Sequence, residues 1–408
     1  MTNYNHNHNH NYNYTTMRAL AYFKKGDIHF TPDLEEPKIV AADELILDII
    51  YCGICGTDLH EYTEGPIFFP HDGHKHEVSD IGLPQAMGHE MAAIVREIGP
   101  GVTKFQVGDH VVVEPTGTCR DRYRWPESPN VDKPMCNACK RGSYNICSHL
   151  GLIGDGVQSG GFAERVVINE THCYKVSKNM PMDVAALIQP IAVSWHAVRV
   201  SRFKPGSSVL ILGSGPIGLG TILALNGHGC TEIVVSEPAK IRREFAEKMG
   251  AVVFDPSNGP DSENIPILRS MAPGGDGFDY TFDCSGTPST LLASIECLTF
   301  NGTAVNVAMW SVEHPVDFFP MDITKQEKFY TGSMCYTHVD FEAVISALEE
   351  GRIEISKAKH MISSRVPIER GFEDAMMKLI THKEETIKIL LTPNNHGQLE
   401  GDGTDIYD

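Results

Sequence analysis

The sequence predicts an α/β protein in two parts, a β-rich part followed by a doubly wound parallel-sheet part. Three observations predict it. From Met17 to about Gln189 the apolar runs are short (LILDII, AAIVREIG, DHVVVE, AERVVI) and punctuated by Gly, Pro and Asp, the pattern of all-β structure. Near Gln189 the pattern changes to strands alternating with helices. At 408 residues the chain also exceeds one ordinary core.

Composition narrows the function. An apolar share of 41% and a charged share of 21% belong to a soluble globular protein. The formal charge is −19, from 34 Lys and Arg against 53 Asp and Glu, with no basic run, which excludes nucleic acid and anionic membrane surfaces as partners. VLILGSGPIGLGTILAL (209–225) is apolar enough to mimic a membrane span, but its glycines and proline read as a buried strand, turn and helix. The eleven cysteines, with no signal peptide, read as reduced thiols and metal ligands, so a cytoplasmic location is expected. Residues 1–16, rich in Asn, His and Tyr, read as a tag or a disordered extension, and the fold starts at Met17.

The apolar run LILDIIY (45–51) reads as a strand that Gly53 and Gly56 break. Cys55, Thr57, Asp58 and His60 follow within six residues. A thiolate on a stiff strand-to-loop turn suits a soft metal, with a hydroxyl two residues on to touch what the metal binds. Cys52 and Cys55 could equally form a redox pair or half a zinc knuckle. MGHEM (87–91) offers a second ligand in His89, held between Gly88 and a strand. Cys119, Cys136, Cys139 and Cys147 supply four thiols on a Pro- and Arg-rich loop, the donor set of a closed structural zinc site.

DVAALIQPIAVSWHAVRV (183–200) reads as helix with Pro190 marking a joint, and SSVLIL (207–212) as a strand. Gly213-Ser214-Gly215-Pro216-Ile217-Gly218 comes next, then a helix to about Gly227 and a strand TEIVVS (231–236) closed by Glu237. That context makes the glycine motif a dinucleotide cradle, in which the backbone approaches a pyrophosphate at a helix N-terminus. Glu237 would accept the ribose hydroxyls and repel a 2′-phosphate, favouring NAD; Arg242 and Arg243 are the counter-evidence. Pro238 opens a helix that Gly250 ends. Helices are expected at 262–271, 289–300, 340–350 and 367–381, strands at 278–284, 303–309 and 387–392, and a turn at Asn301-Gly302. The acidic tail from 394 reads as flexible.

Taken jointly, GICGTDLH, GHE, the cysteine lobe and GSGPIG with its downstream acid resemble the zinc-containing medium-chain alcohol and polyol dehydrogenases, from Met17 to about His396. HEYTEGPIFFP, QAMGHEM and ILLTPNNHG resemble the fungal (R,R)-butanediol dehydrogenase group. The resemblance implies a GroES-like β-barrel catalytic domain (17–189 and 336–393), an inserted Rossmann domain (190–335) and a cleft between them. It implies that Cys55, not Cys52, is the zinc thiolate, with His89 as second ligand, Glu90 as an alternating or fourth ligand and Asp58 orienting the site. Gln189 stands where the family has a glutamate ligand, and Lys133 where it has the first cysteine of the lobe, so Cys119 serves only if residues 120–135 loop out. Thr57 and His60 would relay the substrate proton, and Ile67, Phe68 and Phe69 would line a small pocket. The implied substrate is a secondary alcohol or its ketone, a vicinal diol such as 2,3-butanediol; polyol or threonine dehydrogenation and a non-catalytic binding role are the alternatives. A homodimer or homotetramer through the Rossmann sheet edge is implied as well.

Overall fold

The computed structural model describes residues 15–310, 315–382 and 385–394. Most of the N-terminal extension and of the acidic tail therefore lies outside the described residues. The β-rich part is built on a seven-stranded sheet. Its central strand, Glu44–Gly53, pairs with Glu90–Ile98, with Arg165–Asn169 and with the last strand, Lys388–Thr392. The chain thus returns from far downstream to complete this sheet, and one core of buried Leu, Ile, Val and Met side chains fills its interior. A three-stranded sheet of Asp27–Glu35, Thr16–Lys24 and Gln85–Ala86 packs alongside.

The other part is a six-stranded parallel sheet. Its order is Val252–Phe254, Glu232–Ser236, Ser208–Leu212, Phe278–Asp283, Leu298–Asn306, Phe329–Gly332. The chain runs outwards to one edge, then restarts beside the first strand and runs to the other. That reversal opens a crevice at the carboxyl ends of Ser208–Leu212 and Phe278–Asp283, where such sheets bind ligands. Among the described residues no helix is long and apolar enough to cross a membrane. The apolar span at 209–225 is a fully buried strand and the helix Pro216–Gly227.

Three local expectations are corrected. The helix expected at 289–300 spans Pro288–Glu296, and Leu298 already begins a strand. Its end is set from outside: Lys328 Nζ donates to the Ile295 carbonyl at 2.7 Å, Arg269 caps the Glu296 carbonyl, and the Phe278 amide takes the Cys297 carbonyl at 2.8 Å. Asn301-Gly302 is not a turn between elements but an irregularity inside that strand, with Asn301 at φ 57°. Pro190 marks no joint. The break falls at Ala186–Leu187, and Pro190 sits in the first turn of Ile188–Ser201, where its missing N–H would have had no helical partner. Of the helix expected at 367–381, Pro367 still ends the strand Ile362–Pro367, and the helical part from Ile368 changes winding, with a wide turn at Gly371–Met376.

Candidate active site

The central strand delivers Ile54, and the chain turns at Cys55 into the helix Gly56–Thr63. Asp58 makes that turn rigid. Its Oδ2 accepts the Cys55 amide at 2.7 Å, capping the helix with its own first turn. The thiol of Cys55 lies 3.7 Å from Thr57 Oγ1. Three residues on, His60 stands exposed on the same helix.

Strand register brings the second element in. Gly53 pairs with Glu90, and Cys52 with Met91. A Cβ at Gly53 would meet Glu90 Oε2 at 2.0 Å, so only glycine leaves the Glu90 carboxylate room beside Cys55. Gly88, at φ 91°, turns the chain just before His89, and a Cβ there would strike the Phe162 ring at 2.2 Å. As a result Cys55 Sγ, a His89 ring nitrogen and a Glu90 oxygen lie within 4.8 Å of one another. Cys52 faces the barrel core instead, and burial pushes its thiol well up. For Cys55 the same burial is outweighed by the neighbouring His89, and the thiol is lowered.

A soft thiolate, an imidazole and a carboxylate form a zinc donor set. One observation tests the fit. Glu90 Oε1 is held by Lys388 Nζ at 2.6 Å, while Oε2 is buried with no hydrogen-bond partner. A bound cation would satisfy that oxygen. Lys388 also donates to the Ile54 carbonyl at 2.9 Å, tying the last strand to the Cys55 turn. His89 Nδ1 faces two carboxylates, Asp155 Oδ2 at 2.7 Å and Asp58 Oδ1 at 3.9 Å, of which Asp155 is near enough to orient the ring. The nearer partner, Asp155, was missed by sequence reasoning, as was Lys388; the one available signal for Asp155 is its place between Gly154 and Gly156, both at positive φ. Replacing Asp155 with Asn should lower zinc affinity or turnover roughly 10–100-fold while the fold survives; zinc content and kcat measured together check this.

Gln189 is buried on the first turn of Ile188–Ser201, and its Nε2 donates to the Tyr336 hydroxyl at 2.9 Å. Of the three pocket residues expected, Ile67 is exposed and Phe68 half-buried, but Phe69 is core, stacked on Tyr22 with ring centres 4.2 Å apart.

The four lobe cysteines meet. The sulfurs of Cys119, Cys136, Cys139 and Cys147 lie within 4.8 Å of one another. Backbone amides point at them: Cys136 N at Cys119 Sγ (3.2 Å), Cys119 N at Cys147 Sγ (3.4 Å) and His149 N at Cys147 Sγ (3.3 Å). Such donors stabilise thiolates, which suits a four-thiolate zinc site. Residues 120–135 loop out, closed at their base by Arg122 Nη1 on the carbonyls of Lys133 and Pro134.

At the crevice of the parallel sheet the three glycines do different work. A Cβ at Gly218 would hit the Gly213 carbonyl at 2.0 Å, so this glycine serves helix–strand packing. Gly213 sits at φ 93° with Ser285 Oγ 2.0 Å from its would-be Cβ. Gly215 has no such neighbour; nothing lies nearer its would-be Cβ than Arg242 Nη1 at 3.8 Å, which leaves the space a pyrophosphate needs. Pro216 opens the helix there, with Ile217 next, and Glu237 accepts the amides of Ser214 (2.8 Å) and Ala239 (2.9 Å). The helix after Pro238 starts at Lys240. Arg243 is committed to Asp255 at 2.7 Å.

Known proteins match both parts of the chain. The family model for the alcohol dehydrogenase GroES-like domain matches residues 41–178, and that for zinc-binding dehydrogenase matches residues 216–350. The chain is 71% identical to a Saccharomyces cerevisiae protein named as a probable diacetyl reductase forming (R)-acetoin, covering 94% of this chain and 92% of that one. It is 53% identical to the (R,R)-butanediol dehydrogenase of the same yeast, covering 94% of this chain and 100% of the relative. The crystal structure of 2R,3R-butanediol dehydrogenase from Bacillus subtilis superposes with a TM-score of 0.81 at 32% identity, covering 93% of this chain and 100% of that one. Identity of this depth over both parts leaves one placement: the chain belongs to the zinc-binding alcohol dehydrogenases, with a GroES-like domain and a Rossmann-type nucleotide-binding domain.

Proposed function

We propose that this protein catalyses the reversible, NAD-dependent oxidation of 2,3-butanediol to acetoin. What carries the reading is the meeting of Cys55, His89 and Glu90 in a chain 53% identical to a named butanediol dehydrogenase. Zinc held by these three side chains would supply the Lewis acidity that makes an alcohol proton easier to lose and polarises the ketone in reverse. The Gly213–Gly218 turn would hold NAD, with Gly215 leaving room for its pyrophosphate, and the bound cofactor would supply the hydride acceptor. Glu237 disfavours a 2′-phosphate, and Arg243, tied to Asp255, is engaged elsewhere.

The side chains do the remaining work. Asp155 fixes the His89 ring, Asp58 holds the Cys55 turn, and Lys388 fixes Glu90 with one oxygen free. Thr57, beside Cys55, takes the substrate proton, and His60, exposed on the same helix, passes it to water. Gln189 brings no charge where the family has a glutamate. Gln189→Glu should therefore move the pH profile of kcat/KM upwards by about one pH unit; an unmoved profile would count against Gln189 lying at the metal.

A homodimer fits the edge strand Phe329–Gly332, whose Phe329 and Tyr330 are exposed beside exposed Phe318 and Phe319. A reducing, cytoplasmic setting fits eleven unpaired cysteines. The test is NADH formation over a panel of diols, polyols and hydroxy acids. The reading expects 2,3-butanediol to give the highest kcat/KM, and a polyol in first place would overturn it.

A further inference from the structure

Glu61 is fully buried on the helix that carries Thr57 and His60, one turn beyond the Cys55 corner. An apolar side chain would fill such a position at no electrostatic cost, so a buried carboxylate there needs compensation. It has it: Glu61 accepts the amides of Ile67 at 2.9 Å and Phe68 at 2.5 Å. A Cβ at Gly65 would meet the Glu61 backbone carbonyl at 2.4 Å and its carboxylate Oε2 at 2.6 Å, so the loop closes tightly over Glu61.

On its far side the same loop rests on Gly156, where a Cβ would reach the Phe68 carbonyl at 2.2 Å. Gly156 follows Asp155, the residue that holds His89. Stacking of Phe69 on Tyr22 provides a third anchor. The loop is thus pinned between the helix that follows Cys55 and the turn that carries Asp155, while Ile67 is 49% exposed and Phe68 is half-buried, neither belonging to the barrel core.

We infer that Glu61 is a positioning residue that latches the Gly65–Phe69 loop beside the metal cluster, where Ile67 and Phe68 form the wall against which the short carbon skeleton of the substrate packs. This rests on the alcohol dehydrogenase reading above and adds a determinant of substrate affinity to it. Two groups face the carboxylate from the elements around it: the Tyr22 phenol from Thr16–Lys24 and Asp155 from the Gly154–Gly156 turn. Neither is a cation. Burial pushes the Glu61 carboxyl up to about 7, with the Phe68 and Ile67 amides pulling it back. Above that pH both oxygens accept amides. Below it one oxygen becomes a hydroxyl, the charge that strengthens both bonds is lost, and the latch loosens.

The experiment compares the zinc-loaded wild type with Glu61→Gln on either side of pH 7, reading KM for 2,3-butanediol, KM for NAD and kcat. In the wild type the butanediol KM should rise about tenfold on the acid side, the scale of one hydrogen bond to a charged group. Glu61→Gln has one acceptor oxygen in place of two, so its KM should stay at the high value at every pH, with KM for NAD and kcat near wild type. A Glu61→Gln enzyme with the wild-type KM and pH profile overturns the latch. Should that variant fail to fold, the wild-type profile is read with Ile67→Ala and Phe68→Ala, whose side chains lie outside the core; unchanged butanediol KM in both overturns the wall. A wild type that makes no NADH from butanediol refutes the substrate reading alone, and the same comparison then runs on whichever panel alcohol is oxidised.

Discussion

Cys139→Ala should release one zinc per chain and unfold the cysteine lobe, at a loss of about 4 kcal/mol or more. The lobe has little else to hold it. Its apolar cluster consists of Cys119, Cys139, Tyr144 and Cys147, with Cys136 and Leu150 at the margin, so the cysteines themselves are most of its core. Structural zinc sites bind with apparent free energies of about 10–16 kcal/mol in small peptides, comparable to the whole stability of a domain. The damage should spread. The Tyr144 hydroxyl accepts the His338 amide, and Asn145 donates to the Met334 carbonyl at 2.9 Å, so the lobe clamps the crossing from the parallel sheet back to the barrel. Zinc content, thermal unfolding and limited proteolysis within 119–150 check this together. A variant that keeps both metals and the wild-type melting temperature would contradict it.

Lys388→Met should destabilise the barrel by about 3–5 kcal/mol. Lys388 and Glu90 are both buried, and removing the ammonium strands Glu90 Oε1 and leaves the Ile54 carbonyl short of a donor. The penalty belongs to the unpaired charge rather than to a lost attraction. Adding Glu90→Gln to Lys388→Met should therefore restore much of the stability while turnover stays low. Urea unfolding of the two single variants and the double variant measures the coupling; simple additivity would show that the pair is not one unit.

The parts legible in the sequence are those whose cause is local. Gly213, Gly215 and Gly218 lie between a strand and a helix, so the parallel sheet could be read directly. The Cys55 turn carries its thiol, hydroxyl and capping carboxylate within four residues. The four lobe thiols were readable as a set even across the 120–135 insertion, because four cysteines in a polar loop have few other uses. What escaped was set by contacts between distant residues of common type. Lys388 meets Glu90 across 298 positions, and nothing in KILLT marks its lysine as buried. Asp155 meets His89 only because the Gly154–Gly156 turn packs over Gly88. The helix from Pro288 was read too long because the cations that end it, Lys328 and Arg269, come from elsewhere in the chain. Phe69 reads as pocket in the sequence because an apolar residue in a loop does not disclose that a tyrosine 47 residues earlier stacks on it.

The central claim is that alcohol oxidation depends on a metal gripped by Cys55, His89 and Glu90. Zinc content measured alongside NADH formation from 2,3-butanediol, in the wild type and in Cys55→Ser, tests it most directly. The account predicts two zinc ions per chain with turnover in the wild type, and a folded Cys55→Ser protein with one zinc and no turnover. Retention of both metals and of the wild-type rate in Cys55→Ser would contradict it.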